Sequence, residues 1–191
     1  MNTRIERALR RAAEWHAGQT RKGSATPYVA HPFAVAWLLD RWGFAEDVVI
    51  AGLLHDAVED TDATLEEIAA EFGPDVARIV AHCSERKEDP SGAKRPWIDR
   101  KTEHIAHVAE APLEARAVAL ADKLHNLVSI RADDEAGVDV WSKFNASRAD
   151  VLWYHAAMIA AAAGRDEGLR GPALAARAAL AAVAGEGPSG P

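Results

Sequence analysis

The run Val48-Val49-Ile50-Ala51-Gly52-Leu53-Leu54 is apolar on nearly every side of a helix, and His55-Asp56-Ala57-Val58-Glu59-Asp60 follows at once. A helix of that character is buried. Residues three and four apart share a helix face, so one face would carry His55, Asp56, Glu59 and Asp60. Unpaired carboxylates at the end of a buried helix are costly to desolvate. A bound divalent cation is the simplest species that makes them tolerable. His31 lies upstream, and Asp122 lies far downstream in Ala121-Asp122-Lys123-Leu124-His125-Asn126. Imidazole nitrogens and carboxylate oxygens suit Mn²⁺, Fe²⁺, Zn²⁺ or Mg²⁺. His31, His55, Asp56 and Asp122 would leave two open positions on an octahedral ion, enough for a water and a phosphate oxygen. Adjacent His55 and Asp56 point about a third of a turn apart, so both reach one ion only at a helix end or beside its axis. Glu59 and Asp60 lie a turn beyond, placed to orient an attacking water. Each signal alone is weak, since a His-Asp pair recurs by chance and a lone Asp122 reads equally well as a surface aspartate. Their weight comes from the two apolar helices that embed them.

The rest of the chain reads as all-α, with about eight to ten helices and no useful alternating pattern. A first helix is expected from Thr3 to Gly18, with Ile5, Leu9, Ala12 and Trp15 inward. Pro32 at the first helical position would put His31 at an N-cap, with that helix ending near Gly43. The next would carry His55-Asp56 and stop around Thr61. Thr64-Leu65-Glu66-Glu67 is a capping box, and its helix ends at Gly73. Further helices are expected from Pro74 to Cys83, Trp97 to Glu110, Leu113 to about Ile130, Asn145 to Ala163, and Gly171-Pro172 to Ala184, with Gly185 to Pro191 a frayed tail. Ser84 to Pro96 is the longest polar stretch and reads as a loop.

The 191 residues suffice for one domain with a core. A formal net charge of -7 at pH 7 argues against a nucleic-acid partner, whose footprint is usually basic. It also requires a local basic patch for any anionic substrate. Cys83 is the only cysteine, consistent with a cytoplasmic protein. The charged N-terminus lacks an apolar signal core. The longest small-apolar run, Ala156 to Ala163, is too short to span a bilayer, so no membrane partner is expected.

Five segments occur in order: Trp15-His16-Ala17-Gly18-Gln19-Thr20-Arg21-Lys22-Gly23, Pro27-Tyr28-Val29-Ala30-His31-Pro32, Gly52-Leu53-Leu54-His55-Asp56-Ala57-Val58-Glu59-Asp60-Thr61, Phe72-Gly73, and Ala121-Asp122-Lys123-Leu124-His125-Asn126-Leu127. Over about the first 130 residues the chain resembles the HD-domain metal-dependent phosphohydrolases, and within them the hydrolase domain of the RelA/SpoT family and the small stand-alone alarmone hydrolases. The resemblance implies a single helical bundle over residues 1–164, followed by a C-terminal helix and tail over 165–191. It implies one divalent metal, Mn²⁺ foremost, on His31, His55, Asp56 and Asp122. It assigns water activation to Glu59 and Asp60, and nucleotide contacts to Arg21, Lys22 and Asn126, with Arg148 matching a phosphate-contacting arginine. The implied activity is removal of the 3′-pyrophosphate of (p)ppGpp, a small-molecule substrate. Two alternatives stay open: the same chemistry on another nucleotide or phosphate ester, and non-catalytic nucleotide sensing. The segment Trp141 to Tyr154, with Leu152 at the family's aromatic position, departs from the family pattern.

Other polar residues carry weaker signals. Arg86, Lys87, Lys94, Arg95, Arg100 and Lys101 form a second basic set around the long loop. His104 and His107, three apart, read more readily as non-ligands than as a second metal site. His125 reads as a support for the metal site, a core residue or a substrate contact. The six tryptophans are expected to fill cores and helix contacts.

Overall fold

Every residue from Val48 to Leu54 is buried, which makes their helix the axis of the molecule. The computed structural model describes residues 2–22, 24–89 and 91–185. Among them are ten α-helices: α1 (Thr3–Trp15), α2 (Ala30–Arg41), α3 (Glu46–Leu54), α4 (Ala57–Asp60), α5 (Leu65–Phe72), α6 (Pro74–Cys83), α7 (Trp97–Ala109), α8 (Leu113–Glu135), α9 (Arg148–Ala163) and α10 (Arg170–Gly185). No strand occurs among the described residues, only the isolated bridges Thr20–Pro27 and Glu88–Lys94. The fold class is all-α, as expected.

α1, α2, α6 and α8 pack around α3. Ala8 and Ala12 are the fully buried residues of α1, while the larger Ile5, Leu9 and Trp15 are only partly covered. Small side chains let α1 approach α3 closely. The α2–α3 contact is also tight. A Cβ added to Gly52 would lie 2.5 Å from Leu39 Cδ1 and 3.3 Å from the Ala36 Cα. Glycine at position 52 therefore sets the separation of the two helices that carry His31 and precede His55. α8 crosses α2, and both α9 and α10 lie along α8. Leu169, Pro172, Ala173, Ala176 and Val183 cover that side.

Local signals end several elements as the sequence indicates. Thr64 accepts from the Glu67 N–H, and the Glu67 carboxylate accepts from the Thr64 N–H, completing the capping box. Ser147 caps α9 by accepting from the Asp150 N–H. Gly18 and Gly43, with φ of 77° and 80°, turn the chain after α1 and α2.

Four expectations are corrected. α2 begins at Ala30, so His31 is its second residue rather than its N-cap. Pro32 fits the third position because first-turn N–H groups have no intrahelical acceptor. The expected continuous helix through His55-Asp56 is broken: α3 stops at Leu54, α4 starts at Ala57, and the two site residues occupy the turn between them. α8 continues past Ile130 to Glu135, and Gly137, at φ 76°, follows its end. Trp37 is 54% exposed instead of filling the core, whereas Trp153, also exposed, meets Trp97 across the α7–α9 contact. The expected tail over 186–191 lies outside the described residues.

Gly52→Ala should destabilise the chain by about 1–3 kcal/mol, the usual cost of overpacking a filled core. Thermal denaturation should show a lowered midpoint. An unchanged midpoint would mean that α2 and α3 have slack at this contact.

Candidate metal centre

Three parts of the fold converge on one point. His31 comes from the first turn of α2, His55 and Asp56 from the α3–α4 turn, and Asp122 from the middle of α8. His31 Nε2 lies 3.1 Å from Asp122 Oδ1 and 3.4 Å from Asp56 Oδ2. His55 Nε2 lies 3.2 Å from Asp56 Oδ1 and 4.0 Å from Asp122 Oδ1. One ligand atom from each of His31, His55 and Asp122 falls within 4.8 Å of the others, the only such group of His, Cys, Asp or Glu found among the described residues. Asp56 is not in that group; it sits beside it at the helix break, with Oδ1 toward His55 and Oδ2 toward His31.

Each of the four is held from behind. His55 Nδ1 lies 2.9 Å from the Gly52 carbonyl, to which its N–H donates. That leaves a lone pair on His55 Nε2, which is buried and has no hydrogen-bond partner. Buried polar atoms seldom go unpaired, and a cation fits this vacancy in the bonding. His31 Nδ1 lies 2.7 Å from His125 Nδ1. Burial lowers the His31 pKa and keeps the ring neutral, as a ligand must be. Burial, then neighbouring His31 and Arg21, push His125 down to about 4. With its proton on Nδ1, His31 donates to His125 and presents Nε2 to the site.

The carboxylates are supported in the same way. Tyr28 donates its hydroxyl to Asp56 Oδ2 at 2.7 Å. Lys123 Nζ sits 2.5 Å from Asp122 Oδ2, and the Asn126 amide donates to Asp122 Oδ1. Burial raises both acids, but their neighbours outweigh it: Lys123, His31 and His55 hold Asp122 well below the carboxylate range, and His55 and His31 lower Asp56. Two carboxylates and two imidazoles are a donor set for a divalent ion.

Glu59 and Asp60 lie on α4 beside this set. Lys87, from the loop after α6, reaches both, with Nζ 3.1 Å from Glu59 Oε1 and 2.7 Å from Asp60 Oδ1. Tyr28 also donates to Asp60 Oδ2 at 3.3 Å. Burial raises the Glu59 pKa against the opposing charge of Lys87. The Arg21 guanidinium donates to Asn126 Oδ1 at 2.8 Å, and Lys22 Nζ lies 5.8 Å from the centre of the Phe144 ring. Arg148 is placed differently. It donates to the Val183 carbonyl at 2.9 Å, stacks over Trp141, and is not among the residues lining the two cavities at the site. His104 and His107 are not paired with each other: His104 meets the Tyr154 hydroxyl, and His107 meets His82.

Sequence reasoning missed the Lys87 link to Glu59 and Asp60, and it missed the part played by Tyr28. Lys87 stood out only as one of several loop cations, and no local spacing ties it to α4.

A cavity of about 170 Å³ contains the four ligand residues. Beside it runs a cleft of about 970 Å³, lined by nine lysines and arginines against four acidic residues. The acidic chain thus carries the local basic patch that an anionic ligand requires.

A helical domain that joins a histidine, a His-Asp doublet and a distant aspartate in one buried cluster defines a class. Residues 8–152 match the family model described as HD domain, and the chain belongs to that family, whose members bind a divalent metal and act as phosphohydrolases. Two curated relatives are named guanosine-3′,5′-bis(diphosphate) 3′-pyrophosphohydrolase MESH1. The Danio rerio protein is 42% identical over 119 residues, 61% of this chain and 63% of the relative. The Xenopus tropicalis protein is 39% identical over 135 residues, 69% of this chain and 70% of the relative. A solved structure described as a metazoan ortholog of SpoT that hydrolyzes ppGpp superposes with a TM-score of 0.78 at 28% identity, covering 94% of this chain and 95% of that one. The crystal structure of lmo0812 from Listeria monocytogenes EGD-e gives a TM-score of 0.69 at 35% identity, covering 80% and 97%.

Elemental analysis of the purified chain should find a divalent ion that His55→Ala and Asp122→Ala lose. His125→Ala should keep the ligands but weaken metal affinity by about 10–100-fold, the usual effect of removing a partner behind a ligand. Parent-like metal binding in both ligand variants would mean that the site is elsewhere.

Proposed function

We propose that this chain hydrolyses (p)ppGpp at the 3′ position, releasing pyrophosphate and GDP or GTP. The observation that carries this reading is the adjoining of a buried His-Asp cluster and a cleft with nine cationic side chains, in a chain of net charge -7. The names of the curated relatives and the description of the structural neighbour support it. The metal, proposed to be Mn²⁺ on His31, His55, Asp56 and Asp122, would supply Lewis acidity at a phosphoryl oxygen and a lowered pKa for water.

The chain's own residues have three tasks. Glu59 and Asp60 orient the attacking water and accept its proton, with Glu59 a stronger base than an ordinary carboxylate because burial raises it. Tyr28 and Lys87 keep the two acids aligned. Arg21, Lys22 and Asn126 bind the nucleotide, Arg21 through its two-pronged guanidinium and Lys22 as a point charge, while Arg148, turned to Val183 and Trp141, stands outside the cleft. The water oxygen bonds to the phosphorus nearest the ribose, and the bond from that phosphorus to the ribose 3′ oxygen breaks. The proton taken by the carboxylate passes to the departing ribose oxygen. We further propose residues 1–164 as the hydrolase domain, 165–191 as an appended helix and tail, and the cytoplasm as the site of action. The engagement of Arg148 with Val183 and Trp141 favours a second reading: the same hydrolysis on a different nucleotide.

Product analysis with added Mn²⁺ should find pyrophosphate and GDP from ppGpp. Asp60→Asn should retain metal and lose most turnover, since proton transfer by a placed base contributes about 10²–10⁴-fold. Arg21→Ala should raise KM, and added salt should do the same. Orthophosphate from other nucleotides, with ppGpp left intact, would select the second reading.

A further inference from the structure

The two cavities differ in what they can admit. The chamber at the metal ligands, about 170 Å³, is well below the roughly 300–1,000 Å³ of pockets that take a drug-sized ligand. A nucleoside does not fit it, but a phosphate group does. None of the four ligand residues lines the larger cleft. Lys101, Lys123 and Tyr154 line both spaces, so they form part of the wall through which phosphates pass.

This wall has more hydrogen-bond donors than acceptors. Lys101 binds the Glu85 carboxylate, whose other oxygen lies 2.8 Å from Arg100. Two cations thus share one buried acid. Lys123 has Asp122 as its carboxylate partner. An ammonium has three N–H donors, so each lysine keeps capacity beyond that partner. The two ammonium groups lie 4.6 and 5.0 Å from the centre of the Tyr154 ring. The Tyr154 hydroxyl lies 3.1 Å from His104 Nδ1, and His104 Nε2 is buried without a partner. Burial, then Lys123, push His104 down to about 4, so its ring is neutral. When the hydroxyl donates to Nδ1, the ring proton sits on Nε2 and has no acceptor. When Nδ1–H donates to the hydroxyl oxygen, the hydroxyl proton has none. Either way the pair holds one donor in reserve for an anion.

We propose that Lys101, Lys123 and the Tyr154–His104 pair form a second anion seat in the metal chamber, which holds the outer phosphoryl of the departing pyrophosphate while its inner phosphoryl lies against the metal ligands. The proposal rests on the (p)ppGpp reading and adds a selection rule. A substrate enters end-on with a terminal pyrophosphoryl group, and a phosphodiester, blocked at both ends, is excluded.

Calorimetry on the full Mn²⁺-loaded chain at fixed free Mn²⁺ tests the seat, with inorganic pyrophosphate and orthophosphate as probes. Pyrophosphate should bind at least about tenfold more tightly, from the added charge-assisted hydrogen bonds. Lys101→Met should lose about tenfold to a hundredfold in pyrophosphate affinity with little change for orthophosphate and unchanged metal content. His104→Phe, which leaves the pairs of Glu85 with Arg100 and Lys101 intact, should narrow the same preference and serves if Lys101→Met fails to fold. Equal binding of the two probes by the parent, or a parent-like preference in the folded variants, overturns the proposal. ppGpp turnover is scored separately. Turnover without this preference sinks the seat alone, and the preference without turnover sinks the proposed substrate alone.

Discussion

Each of two imidazoles lies within about 4 Å of two carboxylates inside an apolar bundle. Such a cluster is held only by strong local support, and the surrounding helices supply it. α8 gives one ligand, Asp122, and three supports: Lys123 and Asn126 on Asp122 itself, and His125 on His31. The residue that lets α2 approach α3, Gly52, also gives His55 its carbonyl acceptor. Packing and ligation therefore meet in the same residue.

What could be read from the chain beforehand follows the range of the interaction involved. The capping box at Thr64, the glycine turns and the burial of α3 depend on residues within a few positions, and they were legible. The α3–α4 break was not, because no glycine or proline marks it. His55 leaves the helix with φ -61° and ψ -31°, still helical values, and Asp56 follows at φ -94° and ψ -8°. The interruption is a small drift in backbone angle that no residue type announces. The pairings of Lys87 with Glu59 and Asp60, and of His125 with His31, span 27 to 94 positions. Tertiary packing alone creates them.

The charge of the whole and the charge of the cleft have opposite signs. A net charge of -7 gives a polyanion no general attraction, and distant charges are screened over about 8–10 Å in physiological salt. The nine cationic side chains act within that range. Selection among anions is therefore a property of the cleft and of the chamber behind it.

The segment after α6 has a geometry that ties these parts together. Ser84 is extended, with φ -78° and ψ 136°, and the residues up to Lys87 are in no helix. Glu85 reaches inward to Arg100 and Lys101, Arg86 is exposed beside Glu103, and Lys87 turns inward again to Glu59 and Asp60. This is the two-residue alternation of a strand without a sheet. One stretch of backbone thus serves the wall of the chamber and the paired acids at the same time, and register is what links them. Inserting a single residue after Ser84 would exchange the two faces, bringing Arg86 in and sending Glu85 out, with every functional side chain still present in the sequence.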